Sequence, residues 1–187
     1  PVVDDKERVV GLLTSEDKDV FVDIKSRKVC VLGLGYVGLP LSLVLADKGF
    51  KVIGYDIDQV LLDQLNNNII PFHEPGLDSF LHRHLGNQFS LSNDLGSVNS
   101  QIYIITVGTP IDDKTKIPII DYIEQAADSI GAIIKSNDLI ILRSTVTVGT
   151  SRKVFLSRLE QGSGLKAGKD FSLAYAPERT IEGNAIN

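Results

Sequence analysis

The chain has 187 residues, 43% of them hydrophobic, with 24 acidic against 19 basic side chains and a net charge of -5. That length supports one large domain, or one domain with an appendage, around an ample core. A mildly acidic surface of mixed sign gives no electrostatic reason to bind nucleic acid or a membrane, the absence of tryptophan leaves little for base stacking, and a single cysteine excludes an internal disulfide.

Residues 1–27 form a polar prefix whose apolar patch, Val9, Val10, Leu12 and Leu13, has the spacing of a short amphipathic helix, expected to pack outside the main core or against a neighbouring subunit. The N-terminus is charged and lacks the apolar centre of a signal peptide, and the longest apolar run, Val37 to Ala46, is too short to cross a bilayer. These features predict a soluble, cytoplasmic protein. From Lys28 onward short β-branched runs alternate with helical ones. Strands are predicted at Val29–Leu32, Lys51–Tyr55, near Phe89–Leu91, at Gln101–Val107, Leu139–Leu142 and Phe171–Tyr175. Helices are predicted at Val37–Lys48 with Gly49 as its C-cap, Asp58–Asn67, after Gly76 through His84, Ile119–Lys135 and Ser151–Leu159. Such alternation implies parallel pairing and right-handed crossovers, hence a doubly wound α/β Rossmann sheet, mainly parallel, ordered 3-2-1-4-5-6, over residues 28–187.

Gly33-Leu-Gly35-Tyr-Val-Gly38 stands where the first strand ends and the first helix opens. Glycines at these positions permit a tight turn, close approach of a pyrophosphate and close helix–strand packing, and the helix N-terminus offers free N–H groups to the phosphates. Asp56 ends the next strand, where a carboxylate accepts hydrogen bonds from ribose hydroxyls but repels a 2′-phosphate. Ile57, Asp58 and Gln59 supply no arginine to neutralise one, so NAD is expected rather than NADP. Three later strands run into polar loops: Gly108-Thr109-Pro110, Arg143-Ser144-Thr145-Val-Thr-Val-Gly-Thr150, and Ala176-Pro-Glu178-Arg179-Thr180-Ile-Glu182-Gly. From the residues alone, Ser144 and Thr145 either cap a helix or face the ligand, and Glu178 and Glu182 are either a solvated pair or functional acids.

With these residues in order, together with Glu74-Pro-Gly-Leu, the sequence resembles the UDP-glucose/GDP-mannose dehydrogenase family of nucleotide-sugar 6-dehydrogenases from Lys28 to Ile186. The resemblance implies oxidation of a sugar C6 hydroxyl to a carboxylate with two NAD and a covalent cysteine intermediate. It places Gly33, Gly35, Tyr36, Val37, Gly38, Asp56, Thr109, Pro110, Ser144 and Thr145 at NAD. It also assigns Thr145 and Glu178 to a catalytic water, with Glu178 the base in thioester hydrolysis, Glu182 to the nicotinamide, and Glu178, Arg179 and Thr180 to the sugar. A homodimer holding its UDP-sugar between this domain and a cysteine-bearing second domain is implied too. Two departures stand out. Val60 and Leu61 occupy the place where some members carry an arginine, and no cysteine follows Cys30, which reads as a buried structural thiol, so the chain is expected to bind NAD without completing the reaction. Arg179 is similar to the UDP-N-acetylhexosamine branch, as is the prefix ending Ile24-Lys-Ser-Arg-Lys28, whereas Glu182-Gly183 is more like the glucose branch. A β-hydroxyacid dehydrogenase shares the glycine turn but not the later loops, and a non-catalytic NAD-sensing module is the alternative outside enzymes. His82 and His84 are predicted to be exposed rather than metal-binding, Asp112–Lys116 to be a solvated loop tip, and Gly162–Gly168 a flexible connection.

Overall fold

The computed structural model describes residues 2–3, 9–11 and 26–178. Its centre is a six-stranded, wholly parallel sheet made of β3 (Val29–Leu32), β4 (Val52–Tyr55), β5 (Phe89–Ser92), β6 (Ile102–Ile105), β7 (Leu139–Leu142) and β8 (Ser172–Tyr175). The spatial order is β5-β4-β3-β6-β7-β8, the doubly wound order 3-2-1-4-5-6 predicted from the alternation. Five α-helices cross over between strands: α1 (Gly38–Asp47), α2 (Gln59–Asn66), α3 (Leu77–His84), α4 (Asp121–Gly131) and α5 (Leu156–Ser163), the last preceded by a π-turn over Ser151–Phe155.

The central strands β3 and β6 are buried at every position. Parallel strands covered on both faces read as continuous apolar runs, and both do. Their side chains divide by parity. Val29, Val31, Ile102 and Ile104 join Leu39, Leu43, Leu77 and Leu81 of α1 and α3 in one core. Cys30, Leu32, Tyr103 and Ile105 join Ile123, Ile130 and Leu159 of α4 and α5 in the other. The chain leaves β3 toward β4 on one side and later returns to β6 on the other, so a crevice opens between the C-terminal ends of β3 and β6.

Three local expectations are corrected. Where a helix was expected from the Val9–Leu13 patch, Val9–Gly11 is strand: β1 (Val2–Val3) pairs antiparallel with β2 (Val9–Gly11), Val3 opposite Val9 and Val2 opposite Gly11, in keeping with the β-preference of valine, while Leu12 and Leu13 lie outside the described residues. His84 is 7% exposed rather than at the surface, because α3 packs on α1 and brings its Nε2 within 3.1 Å of Asp47 Oδ1; His82 is exposed as expected. That hydrogen bond, with the Arg83 guanidinium beside it, holds the Asp47 carboxyl below its ordinary range. The Gly162–Gly168 connection is fastened rather than loose. Helix α5 extends through Ser163, Gly162 packs on Gly131, and Glu160 accepts from Lys166 Nζ (2.8 Å) and the Ala167 N–H (3.1 Å). Around Asp112 the loop tip is built as a turn, the carboxylate accepting from the N–H and hydroxyl of Thr115, which lowers its pKa. Among the described residues no helix is long and apolar enough to cross a membrane, and no cluster of three or more His, Cys, Asp or Glu is placed to hold a metal.

Candidate functional site

The glycine turn is shaped by three different constraints. Gly33 sits at φ +92, a left-handed conformation that side chains with a Cβ rarely adopt. At Gly38 a Cβ would lie 1.7 Å from the Gly33 carbonyl oxygen, so only glycine lets α1 start this close to β3. At Gly35 a Cβ would meet nothing within 4 Å; it would stand in the open space of the crevice. Helix α1 begins without a side-chain N-cap; in its first turn the Leu39 N–H donates to the Gly35 carbonyl at 3.1 Å and Pro40 has no N–H, so the helix turns the positive end of its dipole, rather than a row of free amides, toward an external anion. Two features here had no motif to announce them. Thr106, just past β6, places its hydroxyl 2.8 Å from the carbonyls of both Leu32 and Gly33, donating to one at a time and bracing the turn from beneath. The half-exposed Tyr36 ring packs on Phe72 at 4.5 Å between centroids, tying the turn to the Pro71–Glu74 loop.

Asp56, at the end of β4, is drawn into this turn. Its Oδ2 accepts from the Leu34 N–H at 2.7 Å and its Oδ1 from the Asp58 N–H at 3.0 Å. A carboxylate has about four acceptor sites, so it retains capacity for a diol while its orientation is set by the phosphate turn itself. On the other flank, two hydroxyls stitch the loops together. Ser144 is 7% exposed and its Oγ donates to the Val107 carbonyl at 2.7 Å, while Thr109 Oγ1 donates to the Thr145 carbonyl at 2.9 Å. The Ser144 hydroxyl is therefore a loop fastener, and the exposed Thr145 is the side chain of this pair that is open to the crevice.

All of this surrounds one cleft of about 530 Å³, within the roughly 300–1,000 Å³ range of small-molecule sites. Of the expected positions, Gly33, Gly35, Tyr36, Val37, Asp56, Thr109, Ser144, Thr145 and Glu178 line it. Gly38 lies buried behind the turn, and Pro110 is exposed outside the lining, its carbonyl accepting from Ile119 N–H at 2.8 Å. Arg179, Thr180 and Glu182 lie outside the described residues. A smaller lobe of about 100 Å³ adjoins Asp56 between Tyr55, Ile57, Tyr122 and Ala126, an apolar slot suited to a flat ring. The Glu178 carboxylate is paired with the Arg143 guanidinium, so it is neither a solvated partner of Glu182 alone nor a lone acid.

The cleft meets the demands of a dinucleotide: the positive end of the α1 dipole and an open Gly35 for the pyrophosphate, Asp56 for a ribose, and the apolar lobe for a base. It does not contain a thiol. Cys30 is fully buried within β3, and burial pushes its pKa up to about 12. Since the thiolate is the reactive form, Cys30 is expected to resist maleimide labelling at pH 8 until the protein is unfolded. Rapid labelling of the native protein, followed by mass spectrometry, would show an accessible thiol and refute that reading.

Residues 27–187 match the model of the UDP-glucose/GDP-mannose dehydrogenase family, NAD binding domain. A UDP-N-acetyl-D-mannosamine dehydrogenase of Campylobacter jejuni is 37% identical over 166 residues, spanning 86% of this chain and 40% of that protein. The UDP-glucose 6-dehydrogenase TuaD of Bacillus subtilis is 36% identical over 164 residues, spanning 86% and 35%. Among solved structures, a ternary complex of GDP-mannose dehydrogenase from Pseudomonas aeruginosa superposes with a TM-score of 0.79 at 34% identity, over 84% of this chain and 37% of that one. The chain thus spans about two-fifths of the length of the relatives it matches.

Proposed function

The chain belongs to the UDP-glucose/GDP-mannose dehydrogenase family as its NAD-binding domain, and from that premise we propose that it serves a nucleotide-sugar 6-dehydrogenase oxidising the C6 hydroxyl of a UDP-N-acetylhexosamine to the uronate. The observation that carries the proposal is convergence: the glycine turn, Asp56, Thr145 and Glu178, brought from four different strand ends, line one cleft. The relative named for UDP-N-acetyl-D-mannosamine supports the N-acetylhexosamine substrate. UDP-glucose is the second reading, favoured by the near-equal identity to TuaD. The proposal includes a UDP-sugar held jointly with a cysteine-bearing domain and assembly as a homodimer.

The reaction consumes one alcohol, one water and two NAD and yields one carboxylate, two NADH and three protons. When bound, NAD accepts a hydride from C6 in each of the two oxidations. The thiol nucleophile belongs to the cysteine-bearing domain; this chain's own residues bind the cofactor and serve the hydrolysis. The Gly33–Gly38 turn, with the α1 dipole behind it, holds the pyrophosphate, and Asp56 fixes the adenosine ribose. In the hydrolytic step the Thr145 hydroxyl and a Glu178 carboxylate oxygen hold water beside the thioester carbonyl. Glu178 takes the water proton as the C–O bond forms, and the C–S bond breaks with the thiolate as leaving group. Incubating the full-length protein with NAD and each of UDP-N-acetylmannosamine, UDP-N-acetylglucosamine, UDP-N-acetylgalactosamine and UDP-glucose tests the substrate class. Two NADH per N-acetylhexosaminuronate are expected; turnover of UDP-glucose alone would transfer the assignment to the second reading, and NAD binding with no turnover of any sugar would point to a sensing module.

Asp56 sets a separate expectation. Calorimetry should show NAD bound and NADP strongly disfavoured, because a 2′-phosphate would meet a carboxylate with no arginine or lysine among residues 57–59. Asp56→Ala should weaken NAD by about 1–3 kcal/mol, the cost of leaving hydrogen-bonding groups without a partner. Equal affinity for both cofactors would remove Asp56 from the ribose site.

A further inference from the structure

Glu178 stands beyond the end of β8 at Tyr175, outside any helix or strand. A group that must take a proton from one particular water needs a fixed place, and two contacts from a single residue supply it. Glu178 N–H donates to the Arg143 carbonyl at 3.1 Å, and Arg143 Nη2 donates to Glu178 Oε2. Arg143 is itself anchored at the end of β7, its N–H donating to the Ile105 carbonyl of β6 at 2.9 Å. The registration of Glu178 therefore runs through Arg143 back to the buried centre of the sheet.

We propose that Arg143 is a positioning residue for the hydrolytic step, its guanidinium holding the Glu178 carboxylate at the wall of the cofactor cleft. The inference rests on the assignment of Glu178 to water activation made above. The pair differs from an ordinary surface bridge. The side chains are 29% and 13% exposed, against 60% for Arg83 in its bridge to Asp47. Arg143 Nε is buried without a hydrogen-bond partner, a desolvation cost that an arginine free to swing into water would not accept. Arg143 is also the only lysine or arginine among the described residues lining the cleft, where it faces the charge of Glu178 while Asp56 lies at the opposite flank. A planar guanidinium fixes both the direction and the position of a carboxylate, which lysine, as a point charge, does less well.

The test is single-turnover kinetics of the full-length protein with NAD and UDP-sugar, following thioester decay by mass spectrometry. Arg143→Gln should slow hydrolysis by about 10–10²-fold, the scale of a 1 Å misplacement. The KM for NAD and for the sugar should stay within about twofold, a split that mere loosening of the fold would not produce. Arg143→Lys should recover part of the rate. If Arg143→Gln does not fold, the intermediate rate of Arg143→Lys carries the test. The double variant Arg143→Gln/Glu178→Gln should be no slower than Glu178→Gln, since a positioning residue has nothing left to position. A crystal structure of Arg143→Gln with NAD should show the Glu178 carboxylate displaced. Normal hydrolysis in Arg143→Gln alongside a stalled Glu178→Gln would overturn this proposal and leave the role of Glu178 intact. Normal hydrolysis in Glu178→Gln would overturn the role of Glu178 and this proposal with it.

Discussion

Glu178→Gln is expected to slow the hydrolytic half of the reaction by about 10²–10⁴-fold, the usual effect of removing a general base. The substitution keeps the shape of the side chain and an oxygen for Arg143 to donate to, so the β7–β8 strand ends should hold their arrangement. Hydride transfer precedes the step that needs the base, so a first burst of NADH should persist. Covalent enzyme–sugar thioester should then accumulate, visible as a mass increment on the intact protein. Loss of the burst, or loss of sugar binding with no adduct, would assign Glu178 to substrate binding instead. Steady-state turnover equal to the parent's would place the base elsewhere, and Glu182 would be the next residue to substitute.

Gly35→Val and Gly38→Ala should separate cofactor binding from folding. At Gly35 the added side chain enters empty space, so the melting temperature should barely change. The same space is where the pyrophosphate must approach the backbone, so NAD affinity should fall on the order of 10²-fold or more, beyond about 2.7 kcal/mol. At Gly38 the added methyl meets the Gly33 carbonyl at 1.7 Å and Thr106 Oγ1 at 2.6 Å, both part of the brace beneath the turn. Relief requires α1 to move away from β3, and overpacking of that kind costs about 1–3 kcal/mol or more. In a domain of this size that lowers Tm by roughly 2–4 °C per kcal/mol. Calorimetry and thermal melts on both variants decide the matter. Gly35→Val that binds NAD normally in an intact fold would mean the phosphates lie elsewhere, and Gly38→Ala with an unchanged Tm would mean the turn is looser than its geometry.

Strand and helix identity, sheet order and the cofactor turn were legible in the sequence because each depends on local or periodic signals. Continuous β-branched runs such as Val29–Leu32 have no polar face to expose, so they belong at the centre of a parallel sheet. Glycines at 33, 35 and 38 followed by a helical run announce a phosphate turn by backbone sterics alone. Asp56 was found because its distance from that turn is set by the length of one β-α-β unit. Cys30 was legible as a buried thiol because its neighbours Val29 and Val31 share its strand.

What escaped the sequence were pairings between residues far apart in the chain, which no local pattern encodes. The helix expected over Val9–Leu13 became a strand at Val9–Gly11 because a second valine pair, Val2–Val3, was available to ladder with it. His84 looked like its exposed neighbour His82 until α3 packed on α1 and turned it toward Asp47. Ser144 and Thr145, indistinguishable by type, received opposite roles: one hydroxyl is tied to the Val107 carbonyl, while the other side chain faces the cleft. Above all, the sequence determined that Glu178 would stand at a strand end, and only the tertiary structure decided that its partner is Arg143, 35 positions earlier. Parallel pairing places the ends of β7 and β8 side by side, and a charge pair forms across whatever side chains that register brings together.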